Sequence, residues 1–92
     1  MRTIWKAVLP IHNHVPLVLP VGSIPLSVQA QSEQLCLWFI CDSEWPLEDR
    51  VVKIYGSGHD ARDLDIFRDQ YLGTVQMLSG TFVVHVFLAP AP

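Results

Sequence analysis

The sequence predicts an all-β domain, mainly antiparallel, folded as a small seven-stranded sandwich or barrel, with one short helix possible near 60–70. Three observations point there. Seven short β-rich runs recur at near-regular spacing with turn residues between them. One of them alternates cleanly, Ile24, Leu26, Val28 and Ala30 against Pro25, Ser27, Gln29 and Gln31. Only one segment carries a helical pattern.

Thr3 to Leu9 reads as the first strand, with Ile4, Lys6 and Val8 on one face and Trp5, Ala7 and Leu9 on the other; Pro10 ends it. Val15, Leu17 and Leu19 form the second. Pro16 interrupts it, and a proline lacks the ladder donor, so this strand belongs at a sheet edge or beside a bulge. The alternating third strand should show one apolar and one wet face. After a polar turn at Ser32–Gln34, Leu35 to Cys41 is nearly all apolar, as in a central strand covered on both faces. Asp42 to Asp49 reads as a charged loop, and Arg50 to Tyr55 as the next strand, with Val52 and Ile54 inward and Lys53 outward. Asp60 can cap a helix start, and Leu64, Phe67 and Tyr71 fall at helical spacing, so Asp60 to Gln70 is either one or two helical turns or a loop. Tyr71 to Leu78 and Thr81 to Leu88 read as a hairpin joined by Ser79-Gly80. The second of these runs looks apolar on both faces. Residues 1–88 make a single domain on this reading, and 89–92 a flexible tail.

Composition narrows the function. A chain of 92 residues is one domain with a small core. Half of its residues are hydrophobic and only 16% charged, which excludes a disordered chain. Mean hydropathy is +0.30, more apolar matter than so small a core absorbs, and burial between subunits is the simplest outlet, so a homo-oligomer is expected. A formal charge of −3 argues against direct nucleic-acid binding, which needs a basic footprint. No run is long enough for a membrane helix and no secretion signal is apparent, so a cytoplasmic location is expected. Cys36 and Cys41 lie at an odd spacing on one strand and face opposite ways; free buried thiols follow.

Few residues look chemical. His12 and His14 lack the further ligands of a zinc site, and Asp60, Asp63, Asp65 and Asp69 lack the calcium-loop pattern, so no metal and no cofactor are expected. Ser57 in Gly56-Ser57-Gly58-His59 lacks the hydrolase elbow spacing, and His59 two positions on need not face it. The thiols have no neighbouring base, and His85 between Val84 and Val86 reads as a core or interface histidine. Trp5 and Trp38 read as core. No catalytic residue is expected, and the minor reading is a hydrolase using His59 or His85.

Two binding sites are left. The Gly56–His59 turn is either a tight turn needing positive φ or a nest of amides for a small anionic ligand, with His59 and Arg62 adding charge and Tyr55 and Tyr71 stacking surface. Eight of the nine acids fall between Asp42 and Asp69, making one end of the molecule negative and attractive to a basic protein partner. There Glu44, Trp45, Glu48 and Asp49 form a candidate protein-binding patch, with Trp45 either pinned back on the core or offered as an anchor.

Thr3-Ile4-Trp5-Lys6, Leu26-Ser27-Val28-Gln29, Cys36-Leu37-Trp38, Ile54-Tyr55-Gly56-Ser57-Gly58-His59, Tyr71-Leu72-Gly73-Thr74 and His85-Val86-Phe87 follow one another in an order that resembles a family of small uncharacterised proteins met in bacteriophages and prophages. The likeness covers nearly the whole chain. It implies a phage-type accessory protein and carries over no activity, substrate or catalytic residue. By analogy of context, such proteins blunt host defences by occupying a host protein or soaking up a signalling nucleotide. The expectation is therefore a non-enzymatic protein that binds, and plausibly inhibits, a host or phage protein. Its alternative is a holder of an anionic, nucleotide-like molecule at the Gly56–His59 turn.

Overall fold

A computed structural model describes residues 1–92 and contains seven strands and no helix. They are β1 (Arg2–Leu9), β2 (His14–Pro20), β3 (Ile24–Gln31), β4 (Gln34–Asp42), β5 (Leu47–Gly56), β6 (Gln70–Met77) and β7 (Phe82–Leu88). Two antiparallel sheets are formed, one in the order β1-β4-β3 and one in the order β2-β5-β7-β6. They pack face to face as a sandwich, with β3 crossing β6 at the closed side.

Period-two patterning builds the core. In the smaller sheet the inward rows are Trp5–Phe39–Pro25, Ala7–Leu37–Val28 and Leu9–Leu35–Ala30. Opposite them lie Val52 and Ile54 of β5, Val75 and Met77 of β6, and Val84, Val86 and Leu88 of β7. Leu37, Val52, Val84 and Val86 are wholly inaccessible. Each such aliphatic side chain contributes roughly 1.5–3 kcal/mol by leaving water.

Several sequence expectations are corrected. The third strand does not present a single apolar face, because its register shifts between Pro25 and Ser27. Leu26 is the extra residue, and it and Ile24 are left exposed while Pro25 takes the inward place. Trp5 is 40% exposed and Trp38 lies half-buried on the outer face, so neither tryptophan is core. The fifth strand begins at Leu47, which leaves only Ser43–Pro46 as the loop after β4 and places Glu48 and Asp49 on a strand. The β6–β7 connection spans Leu78–Thr81, and its Leu78, Ser79 and Gly80 all have positive φ.

No helix forms over 60–70. Instead Asp60 Oδ1 accepts from Arg62 N, and Asp65 Oδ1 accepts from Phe67 N and Arg68 N, closing separate turns. Aspartate carboxylates that bind nearby amides compete with helix propagation. Phe67 points to solvent at 92% exposure. The tail is tied at its start, where Ala89 N donates to Val51 O and Arg50 Nη2 donates to Ala89 O at 3.0 Å. Cys36 and Cys41 are free and buried, and β4 is the central strand of its sheet, as expected, but it is not covered on both faces, because no layer packs on its outer side and Trp38 and Ile40 stay partly exposed there.

Candidate functional site

Two surfaces gather the residues that the sequence singles out. One is the outer face of the larger sheet, where Tyr55, His85 and Thr74 lie in one row across β5, β7 and β6, and Lys53, Phe87 and Tyr71 in the next. The long connection from Ser57 to Asp69 folds back over this face. Carboxylates hold it there. Tyr55 Oη donates to Asp63 Oδ1 at 2.9 Å, His14 Nε2 meets Asp63 Oδ2, and Lys53 Nζ donates to Asp69 Oδ2 at 2.7 Å. Asp65 N also donates to Asp69 Oδ2.

These contacts move the acidities. The Tyr55 hydrogen bond, then that from His14, holds the Asp63 carboxyl below the usual range. Burial pushes Asp69 up, but the Lys53 bond and the Asp65 amide outweigh it and leave the carboxyl lowered. Burial, followed by the Asp63 carboxylate, pushes the Tyr55 phenol well above its ordinary value.

The Gly56–His59 turn is arranged differently from an anion nest. Ser57 N donates to Val83 O and His59 N donates to Gly56 O, so two of its amides are spent inside the protein. Gly58, at φ +82°, is left with an unbonded amide. The His59 ring lies against Gly56, where a Cβ would meet Nδ1 at 2.6 Å, while the Ser57 hydroxyl bonds a different histidine. Arg62 Nε pairs with Asp60 in solvent at 2.8 Å. Tyr55 and Tyr71 do come together, each against Phe87, with ring centroids at 6.1 and 5.4 Å. Sequence reasoning missed the partner of Ser57. Its Oγ lies 2.8 Å from His85 Nε2, whose Nδ1 lies 3.0 Å from Thr74 Oγ1, which in turn meets Tyr71 Oη. No local signal reveals this file, because Ser57 and His85 are 28 residues apart and only the strand order joins them.

The second surface is the outer face of the smaller sheet. Its rows are Ile4–Ile40–Ile24, Lys6–Trp38–Ser27 and Val8–Cys36–Gln29. No layer covers it: Ile4 and Ile24 are each 56% exposed and Val8 46%. Towards the β4–β5 loop it ends in a groove of about 230 Å³ walled by Val21, Ile24, Ile40 and Trp45. Trp45 is 55% exposed, so it is not pinned back on the core. Glu44 and Asp49 are exposed near it in sequence, whereas Glu48 is half-buried with Oε1 at 3.8 Å from Arg50 Nη1. The proposed acidic patch is thus divided, and Glu48 serves inside the chain. Asp42 is held below the usual carboxylate range by the Glu44 amide and then by the terminal ammonium. No three metal-ligating side chains cluster anywhere, and no helix is long and apolar enough to cross a membrane.

A family model described as a domain of unknown function (DUF7352) matches residues 1–92, and the chain belongs to that family. No curated protein and no solved structure matches it. The uncharacterised family expected from the motifs therefore covers the whole chain, while a phage or prophage setting does not follow from the match.

Proposed function

We propose that this protein acts by binding another protein, a role in which no chemical step is needed, as a phage-type accessory protein that occupies and inhibits a host defence protein in the cytoplasm, itself assembled as a homo-oligomer. The observation that carries the reading is the uncovered face of the smaller sheet, where Ile4, Ile24 and Ile40 form one apolar row running into the groove beside Trp45. An apolar row open to water at this exposure costs solubility unless something covers it. Its occupant is a protein segment that places an aliphatic or aromatic side chain in the groove, whose charged lining residues Arg2 and Asp42 offset each other, with Lys or Arg set further out to meet exposed Glu44 and the acidic surplus of the chain. Two buried free thiols accord with a reducing compartment. The alternative, a nucleotide-like anion at Gly56–His59, loses support because the Ser57 and His59 amides are already bonded.

The test compares tagged wild type with Trp45→Ala, Ile24→Glu and Phe67→Ser in pull-downs from bacterial lysate. Phe67 is exposed and lies outside the groove. A protein retained by wild type and Phe67→Ser, and lost with both groove variants and at high salt, supports the reading. Equal retention by all four chains, or none above the resin, overturns it.

A further inference from the structure

The file Ser57–His85–Thr74–Tyr71 is left unused by protein binding, and its geometry is that of an activated hydroxyl. A serine hydroxyl is a weak nucleophile until a base within hydrogen-bond reach can take its proton. His85 Nε2 stands 2.8 Å from Ser57 Oγ, inside that reach. The other ring nitrogen is held by Thr74 at 3.0 Å. A base requires the tautomer in which Nδ1–H donates to Thr74 Oγ1, and the Thr74 hydroxyl, which can donate on to Tyr71 Oη, accommodates it and leaves Nε2 as the acceptor. The strands fix these positions: His85 and Thr74 are directly opposed across β7 and β6, and Ser57 extends β5 by bonding its amide to Val83 O. The residue after the serine, Gly58, keeps a free amide. That is the donor position which hydrolases use for the developing oxyanion.

We propose that Ser57 is a nucleophile towards small activated esters, with His85 as its general base, Thr74 as a positioning residue and the Gly58 amide as the oxyanion donor. This goes beyond the binding reading and does not depend on it. Ser57 Oγ forms a bond to the ester carbonyl carbon as its proton passes to His85 Nε2. The carbonyl π pair moves onto oxygen beside Gly58 N–H. When that pair returns, the bond to the leaving oxygen breaks, its electrons go with that oxygen, and His85 returns the proton to it. Acyl-Ser57 and an alcohol result, and water later frees the serine by the same steps in reverse roles. The site is an open surface with no groove over it, and Tyr71, 57% exposed, offers a ring beside it. Small aryl esters fit such a surface better than long chains. Thr74 is neutral, so the imidazolium lacks the carboxylate that strengthens such a base, and slow acylation is expected.

The probe is p-nitrophenyl acetate, read by intact mass, peptide mapping and nitrophenol release. Wild type is expected to acetylate at Ser57 at least about a hundredfold faster than the same serine in urea-unfolded chain, as general-base assistance of this kind provides. His85→Gln is expected to lose about that factor. Thr74→Ser is expected to keep the rate and Thr74→Val to lose about tenfold with a displaced pH profile, which a purely structural role would not produce. Acidification of the wild type, which needs no variant to fold, is expected to suppress labelling. Acetylation confined to lysines and the amino terminus, or a Ser57 rate that is unchanged by His85→Gln or by pH, overturns the proposal.

Discussion

Asp69 carries the connection between β5 and β6. Its side chain is 1% exposed, and it holds both the Lys53 ammonium and the Asp65 amide. Removing the charge leaves Lys53, only 16% exposed, without its partner. Asp69→Asn is therefore expected to lower unfolding stability in urea by about 3 kcal/mol, the cost of breaking a buried pair. The pH dependence has a definite sign. Asp63 and Asp69 are both lowered in the folded chain, so they bind protons less readily there than in the unfolded one. Their contribution is fully present above the unfolded carboxylate value of about 4, and is lost as the pH falls through the folded values. Tyr55 works at the other end: its phenol is raised, so its contribution is present below the unfolded tyrosine value of about 10 and is lost as the pH rises beyond it. Urea midpoints measured from acid to alkaline pH should fall at both ends, and Tyr55→Phe should remove the tyrosine-linked part of the alkaline loss while weakening the acid one. An alkaline limb of the same size in Tyr55→Phe would refute the assignment.

At the scale of the element, the closed side of the sandwich depends on one glycine. A register shift between Tyr71 and Gly73 makes Leu72 the extra residue of β6, and turns Gly73 inward beneath β3. A Cβ there would stand 2.7 Å from Val28 Cγ2. Valine is stiff at χ1 and has no flexible end to withdraw, so the two sheets would have to part. Gly73→Ala is expected to cost about 1–3 kcal/mol by overpacking. The same change in a Val28→Ala background should cost markedly less, and additive losses in that thermal-denaturation cycle would show that the close approach is not the cause. Such contacts also mark the limit of what the sequence reveals. Strand existence was legible wherever apolar and polar residues alternate, and Pro16 correctly announced an edge strand, β2. The bulges at Leu26 and Leu72 were not, because an alternating run looks the same whether or not one residue is unpaired. Leu64, Phe67 and Tyr71 kept a helical spacing, yet Asp60 and Asp65 bound the local amides first. The Ser57–His85 pair needed the strand order itself.

For the whole molecule, the four sheet edges are treated unequally. β2 carries Pro16 and Pro20, β3 carries Pro25 and a bulge, and β6 carries a bulge at Leu72 and a glycine. These devices discourage a further strand. β1 has none: it contains no proline and pairs with β4 without a break from Arg2–Asp42 to Leu9–Leu35. Its lysine does not guard the edge either, because Lys6 Nζ reaches across β4 to Gln31 Oε1 of β3 at 2.9 Å. A second copy suits this edge. Set antiparallel about Trp5, two β1 strands place Trp5 beside Trp5, Ile4 beside Lys6 and Thr3 beside Ala7, with no like charges directly opposed. The half-exposed Trp5 would then be covered, and the smaller sheets would join into one of six strands. Light scattering on a sizing column should accordingly give about twice 10.4 kDa. Trp5→Lys should bring that mass down to the single chain, since it sets two ammonium groups opposite each other at the two-fold axis, while Ile24→Glu, on the far strand of the same sheet, should leave it unchanged. Hydrogen exchange gives a second reading that no substitution can confuse: outward-facing β1 amides should exchange more slowly as protein concentration rises. A single-chain mass at high concentration, or a dimer dissolved by Ile24→Glu and indifferent to Trp5→Lys, would place self-association elsewhere and leave the β1 edge open.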